Sequence, residues 1–245
     1  MMADLVLSIF PGIGLLDMAF ELEGYCVVRG PDVLWGGDVR VFHPPAGVFA
    51  GVIGGPPCQM FSSLAAVVRH NGHQPRFGNL IPEFERCIAE AQPAWFVMEN
   101  VPGAPVPAVD GYIVCSQIVN NRWFVGEAEI GAEQQRKRRI SFGTRDGRAL
   151  VWDVAALEAP LECGRRPPPA VKADNRRTRD RPKLRGNGKP NIYSLENACE
   201  LQGLPRDFTA AMPFRKEAKL QAVANGVPIP MGRAIARAVK RAMES

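Results

Sequence analysis

The chain has 245 residues, of which 46% are apolar and 22% are charged, a composition typical of a globular protein with one sizeable core. It contains no apolar run near the ~20 residues of a membrane span. The amino-terminal segment lacks the basic region and cleavage site of a signal peptide, so we expect a cytoplasmic protein. The six cysteines form no C-x-x-C pair and the three histidines complete no zinc pattern, so we expect neither a disulfide framework nor a metal site.

Charge is distributed unevenly along the chain. The net charge is +5, but residues 165–189 hold ten Lys and Arg against two Asp, which gives this segment +8 and leaves −3 for the rest. A basic segment on a mildly acidic body indicates a polyanionic partner, with nucleic acid as the first candidate. The alternative is a solvated, disordered stretch, which is less favoured because sequence typical of ordered structure follows it.

Apolar runs and helical spacing alternate along the first half of the chain. The predicted strands are residues 5–10, 25–29, 48–53 and 94–98, and the predicted helices are Leu15–Leu22, Ile81–Ala91 and, near the end of the chain, 231–242. This alternation predicts an α/β fold with a doubly wound sheet.

The second half predicts a pair of strands, an insertion and a return to the first domain. Residues 123–130 and 140–144 are predicted to pair, whereas residues 112–120 suit either a helix or a strand. The Pro- and Arg-rich residues 146–190 predict a small, loop-rich region. We therefore expect one domain from residues 1–145 plus 191–245, and a separate small region at 146–190.

Two features of the first strands suggest a ligand site. Gly12 and Gly14 form a turn between a strand and a helix, which is a common cradle for nucleotide-like ligands, although a lone glycine turn is weak evidence. Asp32 follows the second strand, where an acid can bind ribose hydroxyls, but a turn role suits it equally well.

Cys58 and Glu99 each stand just beyond a predicted buried strand. In open α/β sheets ligands bind at this edge. A thiol there can act as a nucleophile if its pKa is lowered, although a lone cysteine is more often a small buried side chain. For Glu99 the alternative is a surface carboxylate in a loop.

An ordered series of motifs covering most of the chain resembles the cytosine-C5 DNA methyltransferases. The motifs are Phe10-Pro-Gly-Ile-Gly14, Gly37-Asp38-Val39, Gly55-Pro-Pro-Cys-Gln59, Glu99-Asn-Val101, Gln134 to Arg139, residues 195–205 and Ala224-Asn-Gly-Val-Pro228. The family's usual acids at two strand positions are replaced here by Ser8 and Ala50. The resemblance implies a Rossmann-like methyltransferase domain in which 146–190 is a small target-recognition insertion.

The resemblance also implies roles for individual side chains. Cys58 would attack C6 of a flipped cytosine, and Glu99 would hydrogen-bond its N3 and N4 edge. Arg136 or Arg138 would hold the base O2 and lower the pKa of the thiol. Two registers of the basic motif fit the family pattern, namely Gln134-Arg136-Arg138, which the spacing favours, and Gln135-Lys137-Arg139.

By the same resemblance the methyl donor is S-adenosylmethionine and the partner is double-stranded DNA. The implied cofactor-binding residues are Phe10, Gly12, Ile13, Gly14, Asp32, Asp38, Val39, Pro57, Asn225 and Val227. The implied DNA-binding residues are Gln59, Ser62, Arg176, Arg177 and Arg179. We expect the loop at 61–78 to close over the target, the insertion to permit a short or relaxed site, and the protein to be a monomer. The alternatives are an enzyme that methylates structured RNA, such as tRNA, and a non-catalytic protein that binds S-adenosylmethionine or DNA.

Overall fold

The computed structural model describes residues 5–61, 78–124, 134–153 and 194–245. Most of the predicted target-closing loop and of the predicted insertion lies outside these ranges. So do four of the predicted DNA-binding residues, Ser62, Arg176, Arg177 and Arg179.

Six strands form one mixed sheet in the order β2-β1-β3-β4-β6-β5. Their bounds are β1 Leu5–Ile9, β2 Cys26–Arg29, β3 Gly51–Gly54, β4 Trp95–Asn100, β5 Ile113–Asn120 and β6 Lys137–Thr144. Strands β1 to β4 run parallel, whereas β6 is antiparallel to both of its neighbours. The carboxyl ends of β1 to β4 therefore share one edge of the sheet, and this is the edge where the predicted site residues lie.

Five α-helices surround this sheet in the described part of the chain. They are α1 Leu15–Leu22, α2 Ile81–Ala91, α3 Leu195–Leu201, α4 Lys216–Asn225 and α5 Ile229–Glu244. The first two match the sequence prediction residue for residue. Ser194 caps the amino end of α3, because its hydroxyl accepts a hydrogen bond from the Asn197 amide at 3.1 Å.

Both faces of the sheet are covered, which confirms the doubly wound prediction. Side chains alternate along β4, so that Val97 packs on the face of α1 and α5, whereas Phe96 packs on the face of α2. A third cluster joins α3 and α4 to the first helix and includes Ala198, Val223 and Leu15. The carboxyl-terminal segment therefore returns to the body formed by the first half of the chain.

The predicted partner of the last strand was wrong. We expected residues 123–130 to pair with 140–144, but β6 pairs with β5 on one side and β4 on the other. Residues Asn121–Phe124 instead form a short 3-10 turn, and Phe124 is buried against the ring of Trp152. Trp123 and Phe124, two of the apolar side chains that suggested a strand, thus pack on the core at this turn, and residues 125–130 lie outside the described ranges.

Trp152 belongs to the first residues of the predicted insertion. The described residues 146–153 contact the sheet domain, since the Val151 amide donates to the Ala238 carbonyl at 3.4 Å and the Trp152 indole donates to Gln117. The rest of the insertion lies outside the described residues, so the division into two regions stays a prediction. None of the helices in the described ranges combines the length and apolarity needed to cross a bilayer.

Candidate active site

The loop carrying Cys58 is anchored between two strands. A side chain on Gly54 would come within 2.6 Å of the Ile9 carbonyl, so glycine lets β3 end close to β1. The Asn100 side chain of β4 donates to the Pro56 carbonyl at 3.1 Å, and the Phe61 amide closes a turn onto the Cys58 carbonyl. The thiol is therefore held at the carboxyl edge of the sheet on a fixed backbone, and the neighbouring Pro57 and Gln59 are half-buried.

Glu99 lies beside this loop on β4. Glu99 is 7% exposed. Its carboxylate lies so close to Gly55 that a side chain added to this glycine would meet Glu99 Oε2 at 3.4 Å. Arg138, from the antiparallel strand β6, places Nε 2.6 Å from Glu99 Oε1. An arginine thus neutralises a carboxylate that would otherwise be costly to bury.

The basic motif adopts the register that the spacing favoured. Gln134 and Arg136 are buried, whereas Gln135 and Lys137 are exposed, so inward-facing positions alternate and Arg138 continues the inward set. The two arginines of this set differ in what they contact. Nη2 of Arg136 donates to the carbonyls of Ala224 and Gly226, at 2.9 and 3.0 Å, while Arg138 reaches the carboxylate of β4.

Charges around Cys58 act in opposite directions. Burial, followed by the negative charge of Glu99, raises the pKa of the Cys58 thiol, while Arg138 and Arg136 lower it. The net shift is upward, so in this arrangement the thiol is mostly protonated at neutral pH. Burial, followed by the like charge of Arg138, lowers the pKa of Arg136 to about 9. The structure therefore brings together all four predicted catalytic residues, in a state where the thiolate is not yet favoured.

The glycine turn has a strained backbone and an unfilled space beside Gly12. Phe10 has a φ of 60°, which is costly for a residue with a bulky side chain and is typical of functional sites. Gly12 and Gly14 also have positive φ, and a side chain added at Gly12 would meet nothing within 4 Å. Ile13 between them is buried. The turn thus presents backbone to a clear space, which fits a ligand that must approach the chain closely.

Asp32 supports this turn directly. Its Oδ2 accepts from the Gly12 amide and its Oδ1 accepts from the Leu34 amide, both at 2.8 Å. The turn role and the ligand role considered for this residue are compatible, because an ionised carboxylate can accept further hydrogen bonds. Trp35, which the sequence analysis did not single out, donates from its indole to the Gly12 carbonyl at 2.6 Å.

Asp38 begins the next turn of the same edge. It is half-buried and accepts side-chain hydrogen bonds from Nε and Nη2 of Arg40, which hold the pKa of its carboxyl at about 2. The following Val39 is buried, and its carbonyl accepts from the guanidinium of Arg86 on α2 at 2.8 Å. The second residue that sequence reasoning missed is thus Arg86, which fixes the backbone next to Asp38 from a helix 47 positions away.

The last two predicted cofactor contacts flank Gly226. Asn225 is the last residue of α4, and Val227 lies between α4 and α5. The side chain of Asn225 is exposed, whereas that of Val227 is buried in the core. Arg136 binds the carbonyls before and after Asn225, so the basic motif on β6 sets the position of this segment.

Comparison with known proteins decides the family. The family model described as C-5 cytosine-specific DNA methylase matches residues 44–169, about half of the chain. The chain belongs to the C-5 cytosine-specific DNA methylase family.

Relatives and solved structures agree with this placement. The chain is 35% identical over 114 residues to Type II methyltransferase M1.HphI of Haemophilus parahaemolyticus, an alignment covering 41% of this chain and 29% of that protein. It is 30% identical over 167 residues to Type II methyltransferase M.NgoPII of Neisseria gonorrhoeae, covering 57% and 48%. The matched stretches thus span less than half of these curated relatives.

Two solved methyltransferase structures share the fold. That of Entamoeba histolytica EhMeth aligns over 100% of both chains, with a TM-score of 0.66 and 11% sequence identity. That of the S. pombe Dnmt2 methyltransferase aligns over 97% of this chain and 98% of that chain, with a TM-score of 0.60 and 12% identity. At these identities the likeness shows the fold, which is that of S-adenosylmethionine-dependent methyltransferases.

Membership in the methylase family indicates which ligand the glycine turn could bind. The clear space at the glycine turn fits the methyl donor that the family uses, and the turn lies at the same sheet edge as the thiol. Within the described ranges, no group of three or more His, Cys, Asp or Glu side chains could hold a metal ion. Cys58, Glu99 and the two arginines remain the predicted catalytic residues.

Proposed function

We propose that this protein transfers a methyl group from S-adenosylmethionine to C5 of a flipped cytosine in double-stranded DNA. The observation that carries the proposal is the juxtaposition of Cys58 with the Glu99–Arg138 ion pair, on a loop fixed by Asn100. A thiol, a carboxylate and an arginine at one sheet edge supply a nucleophile, a partner for the N3 edge and a cation for a developing negative charge.

The reaction begins with the thiolate of Cys58, whose sulfur forms a bond to C6 of the base. The electron pair of the C5–C6 double bond then makes C5 nucleophilic, and Glu99 stabilises the ring by hydrogen-bonding at N3 and N4. C5 would then take up the electrophilic methyl group of the cofactor, which leaves as S-adenosylhomocysteine. Removal of the C5 proton by a base then restores the double bond, and the C6–S bond breaks to release Cys58 as thiolate.

The Glu99–Arg138 pair gives a reason why the thiol is activated only with substrate. Glu99 raises the pKa of Cys58 in this structure. When the base forms hydrogen bonds with the carboxylate of Glu99, the effect of this negative charge on the Cys58 thiol is reduced. The positive charge of Arg138 remains and favours the thiolate. The entry of the base, at an unstacking cost of a few kcal/mol, thus turns on the nucleophile.

We further propose that Gln59 and Ser62 contact the DNA beside the flipped base, and that Arg176, Arg177 and Arg179 bind phosphates. Gln59 follows the nucleophile directly and is half-buried at the sheet edge. The arginines belong to the +8 segment, whose charge suits a polyanion. We also propose that the protein acts as a monomer in the cytoplasm of a bacterial or phage-infected cell.

The experiment uses duplex DNA containing 5-fluorocytosine, in which fluorine blocks the last proton removal. The wild-type protein should form a covalent adduct through Cys58, while Cys58→Ala should form none and should lose turnover but keep its affinity for S-adenosylmethionine. Cys26→Ala is the matched control, because this exposed thiol lies at the start of β2 away from the site. Substantial turnover by Cys58→Ala would sink the mechanism, and labelling of tRNA in place of DNA would move the substrate to structured RNA.

A further inference from the structure

Arg29, the last residue of β2, lies against the glycine turn. A side chain added to Gly14 would come within 2.7 Å of Nη2 of Arg29 and within 2.8 Å of its Cζ. Gly14 has a φ of 80° and is the residue that begins α1 without a side-chain cap. The absence of a side chain at this position therefore leaves room for the guanidinium beside the amino end of the helix.

A buried carboxylate fixes the near side of this guanidinium. Arg29 Nε is 3.0 Å from Oδ2 of Asp17, which is fully buried in the first turn of α1. The other oxygen of Asp17 accepts a hydrogen bond from the Ser8 hydroxyl at 2.5 Å. Burial raises the pKa of Asp17, while Ser8 and Arg29 both favour its ionised form. The chain of contacts from Ser8 through Asp17 to Arg29 holds one face of the cation rigidly.

The far side of the guanidinium is open. The side chain of Arg29 is 51% exposed, and among the described residues Asp17 is the one acceptor that it contacts. An arginine has five N–H donors, of which the Nε contact uses one, so its two terminal nitrogens can serve a further acceptor. Arginine presents such donors in a fork that matches a carboxylate.

The position of the guanidinium indicates which group of a ligand it would bind. Arg29 is opposite Ser8 in the sheet register, at the carboxyl ends of β1 and β2, and Asp32 lies three residues further on. A donor bound in this crevice with its ribose near Asp32 would bring its amino-acid part to the glycine turn. That part ends in an α-carboxylate, and the positive end of α1 favours the same charge.

We propose that Arg29 binds the α-carboxylate of the methionine part of S-adenosylmethionine through its terminal nitrogens, while Asp17 holds Nε. This role rests on the proposed function, because it needs the methyl donor to occupy the glycine turn. Asp17 and Ser8 are positioning residues in this assignment, since they act on the ligand only through Arg29. The competing explanation is that Arg29 serves only to neutralise a buried acid.

The test compares two ligands by calorimetry, S-adenosylmethionine and decarboxylated S-adenosylmethionine, which keeps the ammonium group but lacks the carboxylate. Arg29→Gln should weaken binding of the first by about 10- to 100-fold, because charge-assisted hydrogen bonds are lost. It should change binding of the second by less than about twofold. Arg233→Gln is the control and should leave both affinities unchanged. Arg233 pairs with Glu23, which caps the carboxyl end of α1, whereas Asp17 lies in the first turn of that helix.

Each other outcome has a distinct meaning. Equal weakening of both ligands by Arg29→Gln would assign Arg29 a structural role, and unchanged binding of S-adenosylmethionine would remove it from the site. If Arg29→Gln does not fold, Arg29→Lys keeps a cation beside Asp17 but lacks the fork, and should still weaken only the carboxylate-bearing ligand. Failure of the wild-type protein to bind either ligand would instead overturn the proposed function.

Discussion

Arg138 Nε and Glu99 Oε1 are 2.6 Å apart, and their side chains are only 16% and 9% exposed. The pair joins adjacent antiparallel strands at the sheet edge where the nucleophile lies. Both charges act on Cys58, Glu99 by raising the pKa of the thiol and Arg138 by lowering it. Substituting one partner at a time should therefore shift the reactivity of Cys58 in opposite directions.

The first prediction follows from these signs. Glu99→Gln removes a negative charge, so the pKa of Cys58 should fall and its alkylation by iodoacetamide at pH 7.5 should become faster. Arg138→Gln removes a positive charge and leaves Glu99 uncompensated, so the pKa should rise and alkylation should slow. A change of one pKa unit gives about a tenfold change in thiolate fraction below the pKa. The measurement is the rate at the Cys58 peptide between pH 6 and 10, with exposed Cys26 as the internal standard.

Turnover should not follow thiol reactivity in these variants. Glu99→Gln should lower methyl transfer by roughly 10²- to 10⁴-fold, because the neutral amide cannot support the charge at N3, even though its thiol reacts faster. Shifts of the alkylation profile in the same direction for both variants would contradict the electrostatic account.

The second prediction concerns Asp38 and Arg40. Arg40 binds the carboxylate through both oxygens and would compete with an adenine amino group for it. Asp38→Ala should weaken binding of S-adenosylmethionine, whereas Arg40→Ala should not weaken it. Because the pKa of Asp38 is lowered to about 2, the carboxylate is ionised throughout the range from pH 5 to pH 8, and its contribution to affinity should be constant there. Calorimetry across that range checks both statements, and an equal loss of affinity in the two variants would mean that the adenine pocket lies elsewhere.

Elements defined by local signals were predictable from the sequence. The helices α1 and α2 match their predicted bounds because each has clear helical spacing and a boundary signal, Gly14 before the first and Pro93 after the second. Strands of the parallel part were found from apolar runs, since buried parallel strands are apolar on both faces.

Elements defined by long-range pairing were less accessible. The sequence of β5, Ile-Val-Cys-Ser-Gln-Ile-Val-Asn, lacks the apolar run of a buried strand. Its pairing with β6 depends on partners that lie 17 to 31 residues further along the chain, from Asn120↔Lys137 to Ile113↔Thr144. The roles of Arg136 and Arg138 are a similar case. Their alternation was visible, but their different partners, carbonyls around Asn225 and the carboxylate of Glu99, follow only from the folded sheet. Arg29 and Arg86 carried no sequence signal at all.

The third prediction separates Arg136 from Arg138. Arg136 is 2% exposed and donates to the carbonyls of Ala224 and Gly226, so its removal leaves both acceptors without this donor in a buried place. Arg136→Met should lower the free energy of unfolding by about 2–4 kcal/mol. Lys137→Met at the exposed neighbouring position should change it by less than about 0.5 kcal/mol. Urea titration measures both, and a small effect of Arg136→Met would show that the segment around Asn225 is held by other contacts.

The last prediction concerns the basic segment at 165–189, which lies entirely outside the residues that the structure describes. If its arginines bind the DNA backbone, each lost phosphate contact should lower the slope of log affinity against log salt by about 0.9. Replacing Arg176, Arg177 and Arg179 by Gln should therefore lower that slope and weaken binding to all duplexes alike. The methylated site should stay the same, because phosphate contacts carry no direct sequence information.

A charge-matched control distinguishes contact from a change in net charge. Arg233, Arg237 and Arg241 on α5 pair with Glu23 or Asp153 within the protein, so replacing these three by Gln removes the same total charge elsewhere. The salt slope should fall in the first triple variant and not in the control. A relaxed methylation site in the first variant would instead identify base-reading arginines, since a bidentate contact to guanine contributes about 1–3 kcal/mol of discrimination. A slope equal to that of the wild type would indicate that the segment is a solvated stretch without DNA contacts.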